Sequence, residues 1–138
     1  MWRMLPVVFA IYVPGVAWLQ ASYVPPDTSI LRTILPRQQH SYRAFPFIPG
    51  ADGDNEKHPA ASSVEVFENG VALGPAHSSP ADISNLGQGR YLFVRDGDTT
   101  WLVFSSSDNT DPRTNGRTYR AVDPLARDPY ASALRRPR

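Results

Sequence analysis

The chain has 138 residues, room for one domain, with 14 prolines, no cysteine and a formal net charge of +1. Without cysteine a disulfide framework, a thiolate nucleophile and a cysteine zinc site are all excluded. The balanced charge gives no whole-chain attraction to nucleic acid, so none is expected as a partner; the last twelve residues hold four arginines and one acid.

Residues 5–19 carry no charge. As a helix they reach roughly 22 Å, short of a hydrocarbon core of about 30 Å. Extension from Trp2 to Tyr23 gives about 32 Å, with Trp2 at one end and Trp18 and Tyr23 at the other, where interfacial aromatic belts lie. This predicts a single-pass anchor touching membrane lipid through residues 2–23. A secretory signal peptide competes with it. Arg3 gives a weak basic start, residues 5–13 an apolar stretch, and Gly15-Val16-Ala17 a cleavage site after Ala17 that would release a secreted protein. A buried core helix is disfavoured by Pro6 and Pro14. The count of positive charges is nearly balanced, with Arg3 on one side and Arg32 and Arg37 on the other. The signal-peptide reading requires the body outside the cytoplasm and the anchor reading permits it, so a periplasmic body is expected.

The sequence divides into a hydrophobic segment (1–22), a Pro-rich linker (23–62), a β-rich domain (63–122) and an Arg-rich tail (123–138). In the linker, residues 29–35 read as one or two helical turns capped by Asp27 or Thr28 and ended by Pro36. Phe45 and Phe47, flanking Pro46, read as an extended piece packed on the domain edge, so part of the linker is expected to add a strand. Ala51-Asp52-Gly53-Asp54-Asn55-Glu56 reads as a mobile polar loop. Its alternating Asp52, Asp54 and Glu56 resemble calcium ligands but lack the spacing of a twelve-residue loop, and no metal is expected.

Order returns at Ser63. Val64-Glu65-Val66-Phe67-Glu68 predicts a strand, Asn69-Gly70 a two-residue hairpin turn, and Val71-Ala72-Leu73 the return strand. Residues 79–86 suggest a short helical turn. Strands are predicted at 90–94 and 99–104, joined by a turn at Asp96-Gly97, and at 117–122. The fold class is therefore mainly β: a small antiparallel sheet or sandwich of about five strands. Phe67, Tyr91, Phe93, Trp101, Phe104 and Tyr119 are expected to supply most of its core.

Between the last two strands lies a polar stretch, residues 105–119. Asp108, Asn109, Asp111, Arg113, Asn115 and Arg117 are groups that hydrogen-bond sugar hydroxyls, and Trp101 and Tyr119, with Tyr91, offer ring faces to a pyranose. These are the candidate ligand-binding residues. The competing reading is structural, because Asp and Asn cap their own backbone and Pro112 and Asn115-Gly116 shape turns. Glu68-Asn69-Gly70, Leu73-Gly74-Pro75, His77, Gly87-Gln88-Gly89-Arg90-Tyr91 and the run from Phe104 to Tyr119 together resemble a β-rich terminal module of bacterial cell-envelope and glycan-related proteins, membrane glycosyltransferases included. The resemblance covers residues 63–122, without the large transferase region, and implies no catalytic residues.

Catalysis has little support. His40, His58 and His77 are too scattered for metal spacing. A serine-histidine-acid set is possible from His77, Ser105 to Ser107 and Asp108, but no Gly-x-Ser-x-Gly elbow accompanies it. Gly87-Gln88-Gly89 is a fragment of a phosphate loop, better read as a turn. No catalytic residue and no cofactor are expected. The expected function is a membrane-tethered accessory or binding module, for cell-surface glycan or a glycan-handling membrane partner; the alternative is a structural subunit of a larger membrane complex.

Overall fold

The computed structural model describes residues 27–126. Within them the chain forms seven strands and one short helix: β1 (Ile34–Gln38), β2 (Ser41–Ala44), β3 (Glu65–Glu68), β4 (Val71–Ala72), α1 (Pro80–Asn85), β5 (Tyr91–Asp96), β6 (Thr99–Phe104) and β7 (Tyr119–Val122). They build two antiparallel sheets, one ordered β1-β2-β6-β5 and the other β4-β3-β7. All five strands expected from Ser63 onward are present, and β1 and β2 come from the Pro-rich stretch before it.

Alternation along the strands sets the two faces of each sheet. On β5, Tyr91 and Phe93 are buried, while Leu92 and Val94, which alternate with them, point the other way and are partly exposed. Leu102 and Phe104 of β6 and Ala44 of β2 join the inward set. From the second sheet come Val66, Tyr119 and Ala121, so one cluster of buried side chains draws on both sheets. Phe104 and Tyr119 meet across it with ring centroids 5.4 Å apart. Of the six aromatics expected inside, Phe67 and Trp101 are only partly buried. Each sits one residue out of phase with the inward set. The β3–β4 hairpin turns at Asn69-Gly70 with φ of 49° and 80°, the pair of positive angles a type I′ turn requires. Helix α1 is capped by Ser79, whose Oγ accepts the Asp82 amide at 3.1 Å, and opens on Pro80.

Three expectations for the Pro-rich stretch are corrected. Residues 29–35 form no helix. Residues 29–31 lie along β7, with the Leu31 amide donating to Tyr119 O at 2.8 Å and the Ala121 amide to Ser29 O at 2.9 Å, Leu31 is buried, and Ile34 and Leu35 open β1. A free sheet edge offers more backbone hydrogen bonds than one helical turn, which explains the choice. Phe45 and Phe47 do not pack on the domain but stay 53% and 68% exposed. The third correction concerns Ala51 to Glu56, expected to be mobile. Ala51 and Asp54 are buried, the Asp54 amide donates to Phe93 O at 2.8 Å, and the Arg95 amide donates back to Asp54 O at 3.1 Å. This piece covers the outer edge of β5. Gly53 is there because of the closeness of that approach: a Cβ on it would stand 2.4 Å from the Arg95 amide nitrogen.

Among the described residues no helix is long and apolar enough to cross a membrane. The apolar run 5–19 lies outside them, as does most of the Arg-rich tail.

Candidate functional site

Two polar assemblies stand out. The first is built on Glu68, which alternation turns inward beside Val66 at the end of β3. An inward carboxylate is costly unless every oxygen is satisfied, and here four donors converge. The Ser107 amide and hydroxyl donate at 3.0 and 2.6 Å, the Tyr119 hydroxyl, directly across the β3–β7 pair, at 2.9 Å, and Arg117 Nη1 at 3.1 Å. Burial pushes the Glu68 carboxyl up, but the bonds from Ser107 and Tyr119 and the charge of Arg117 outweigh it and hold the group below its ordinary value. Burial, aided by the neighbouring Glu68 charge and opposed by a hydrogen bond from Asn115, takes Tyr119 up to about 12.

Around this centre the structure gathers several of the expected binding residues. Arg117 grips Asp108 with both terminal nitrogens, at 2.8 and 2.7 Å, and with Thr110 this holds Asp108 well below the carboxylate range. Asn115 donates to Tyr119 at 2.8 Å and to Thr110 at 3.1 Å, and accepts the Arg117 amide. Asp111 and Arg113 pair with each other at 2.7 Å, and the Arg113 guanidinium lies 5.7 Å from the Tyr42 ring. Asn109 turns away, accepting the Gln88 amide at 2.7 Å and donating to Leu86 O, and so fixes the Gly87-Gln88-Gly89 turn. Trp101 is not part of this assembly; it lies in the second.

The second assembly is a cleft of about 500 Å³ on the outer face of the four-stranded sheet. Register aligns its lining. Arg43 on β2 stands beside Val103 on β6, which stands beside Leu92 on β5, and the next row pairs Trp101 with Val94. Arg37 extends the arginine side on edge strand β1. The opposite side is Asp54, set beside Val94 on the far edge, together with Glu56 and His77. The floor is thus apolar, with one aromatic ring, and the two sides are polar. The Arg43 guanidinium lies 6.0 Å from the Trp101 ring centre.

Asp54 is only 3% exposed. Its Oδ1 accepts the Ser62 amide at 2.8 Å and its Oδ2 meets His77 Nδ1 at 2.6 Å. With Nδ1 assigned as the donor to that carboxylate, Nε2 of a neutral His77 is left as an acceptor. No spacing in the sequence marks this pair. Asp54 and His77 are 23 residues apart and join only because the first rides on β5 while His77, at a φ of 56°, turns back over the same edge.

The serine-histidine-acid set proposed from sequence is not assembled. His77 pairs with Asp54, Ser105 and Ser106 are fully buried with hydroxyls bonded to backbone carbonyls, and Ser107 donates to Glu68. Beside His77, the Ser78 hydroxyl donates to Pro75 O and that of Ser79 caps α1. Among the described residues no three His, Asp or Glu side chains are placed to hold a metal ion. The cleft can seat the flat apolar face of a ring on its floor and hydrogen-bond polar groups at both sides. Compared with known proteins, the chain matches no family model, no curated protein and no solved structure.

Proposed function

We propose that the chain is a membrane-tethered, non-catalytic binding module whose ligand, a glycan, is taken in the cleft over Trp101. The observation that carries this reading is the composition of the cleft: Trp101, Leu92, Val94 and Val103 as floor, with Arg37 and Arg43 on one side and the Asp54–His77 pair on the other. Sugars present apolar C–H faces ringed by hydroxyls, and this lining offers a counterpart to both. The tether is the uncharged run at residues 5–19. In this reading Asp108, Asp111, Arg113, Asn115, Arg117 and Tyr119 hold the scaffold, since their polar groups already engage one another or Glu68, Asn109 holds it through the Gln88 and Leu86 backbone, and Trp101 is the expected ring that meets ligand.

The test is a glycan array read with the full-length protein and with Trp101→Ala. Binding should fall at least tenfold in the variant, which should remain folded by circular dichroism. A glycan bound equally by both proteins contradicts the assignment.

A second reading, a structural subunit of a membrane complex, is favoured by Phe45 and Phe47, exposed on either side of Pro46. It predicts stoichiometric co-purification with a membrane partner, lost in Phe45→Ser/Phe47→Ser.

A further inference from the structure

Arginines in the body fall into two groups. Arg90 and Arg95 donate to the Gly87 and Ala51 carbonyls, and Arg113, Arg117 and Arg120 pair with Asp111, with Asp108 and Glu68, and with Asp27 respectively. Arg32, Arg37 and Arg43 have no hydrogen-bonded acceptor among the described residues, and the last two line the same side of one cleft. Arg43 is the more telling. Its Nε is buried with no acceptor, as is that of Arg95. Arg95 still donates through Nη2 to Ala51 O, whereas no guanidinium nitrogen of Arg43 has an acceptor among the described residues and its charged end lies by the Trp101 ring. A buried guanidinium nitrogen without a partner is uncommon in a folded protein.

The acids of the cleft do not answer this charge. Asp54 is across the sheet, beyond β6 and β5, and is already bonded to Ser62 and His77. Glu56 is exposed on that same far side. The cleft is therefore polarised: cationic at the β1–β2 side, apolar and aromatic in the middle, carboxylate and imidazole at the β5 side. Guanidinium groups match carboxylate and phosphate oxygens in a planar two-point fork.

We infer that the ligand is an acidic glycan, one whose carboxylate or phosphate sits on Arg37 and Arg43 while its sugar ring lies on Trp101 and its hydroxyls reach His77. This rests on the reading of the cleft as a glycan site. Uronic acids and sugar phosphates share the required chemistry, a pyranose with an anion at one end.

The experiment uses the full-length protein in detergent on an array of neutral, uronate-bearing and phosphorylated oligosaccharides, with Arg37→Gln, Arg43→Gln and Trp101→Ala alongside. Recognition should be confined to the acidic glycans, weaken as salt is raised, and drop about tenfold or more in each arginine variant. Should Arg43→Gln fail to fold by circular dichroism, Arg37→Gln, on the exposed edge strand, carries the test alone. Uronate hits against phosphate hits identify the anion. Neutral glycans bound as tightly as acidic ones, in a manner lost with Trp101→Ala, overturn the inference and leave the cleft reading intact. Acidic glycans bound equally by wild type and the arginine variants overturn it as well. Binding indifferent to Trp101→Ala, or no glycan bound at all, overturns both.

Discussion

Glu68 shows what one misplaced side chain demands of its neighbours. Strand alternation delivers a carboxylate to the interior, and Ser107, Arg117 and Tyr119 are positioned to receive it. Replacing it with Gln leaves an amide facing groups that are all donors, and should cost about 2–3 kcal/mol. Because the folded-state value is lowered, the stabilisation is complete above the ordinary value of 4.5 and disappears as pH falls through the lowered one. Melting temperature should therefore drop in acid, and Glu68→Gln should flatten that drop without abolishing it, since Asp108 and Asp111 are lowered too. An identical acid slope in both proteins contradicts the assignment. Asp54 is the residue-scale counterpart in the cleft. Asp54→Ala strands the Ser62 amide and frees His77, and His77→Ala leaves Asp54 Oδ2 without that partner, each at a cost of roughly 1–3 kcal/mol; His77→Ala should also weaken binding.

At the scale of elements, each sheet has one edge closed by a piece that is not a strand in its own right: residues 29–31 along β7 and Gly53-Asp54 along β5. Gly53→Ala drives a methyl into the Val94–Arg95 backbone, so it should destabilise by about 1–3 kcal/mol and raise the exchange rate of the Asp54 and Arg95 amides. Unchanged exchange would show that this edge is not closed there. Phe104→Ala, at a fully buried site, should cost about 3–5 kcal/mol, and Trp101→Ala, on the outer face, roughly 1–2 kcal/mol.

The same contrast explains what the sequence disclosed. β3 to β7 were legible because alternation and turn chemistry, Asn69-Gly70 above all, mark them locally. β1 was hidden by Pro36, which an edge strand tolerates, and β2 by the placement of Arg43 and Tyr42 on its two faces. The edge-closing pieces bury themselves through backbone bonds, which leave no hydrophobic period. The placement of Trp101 beside Asp54 and His77 in one cleft was not legible, because that proximity is made entirely by the order of strands.

For the molecule as a whole, the described residues present a cleft lined by two arginines without a hydrogen-bonded acceptor, and the sequence places an uncharged run ahead of them. Full-length protein should resist carbonate extraction, with the mass of the mature N-terminus separating an anchor from cleavage after Ala17. A soluble chain with an intact N-terminus contradicts both. The cleft assignment itself is tested most directly by fluorescence. Trp2, Trp18 and Trp101 are the only tryptophans, so full-length protein carrying Trp2→Phe and Trp18→Phe reports on Trp101 alone. Titration with an acidic oligosaccharide that calorimetry shows to bind should shift the Trp101 emission, saturating at the calorimetric Kd. Emission that stays unchanged while that ligand binds would place the site elsewhere on the protein.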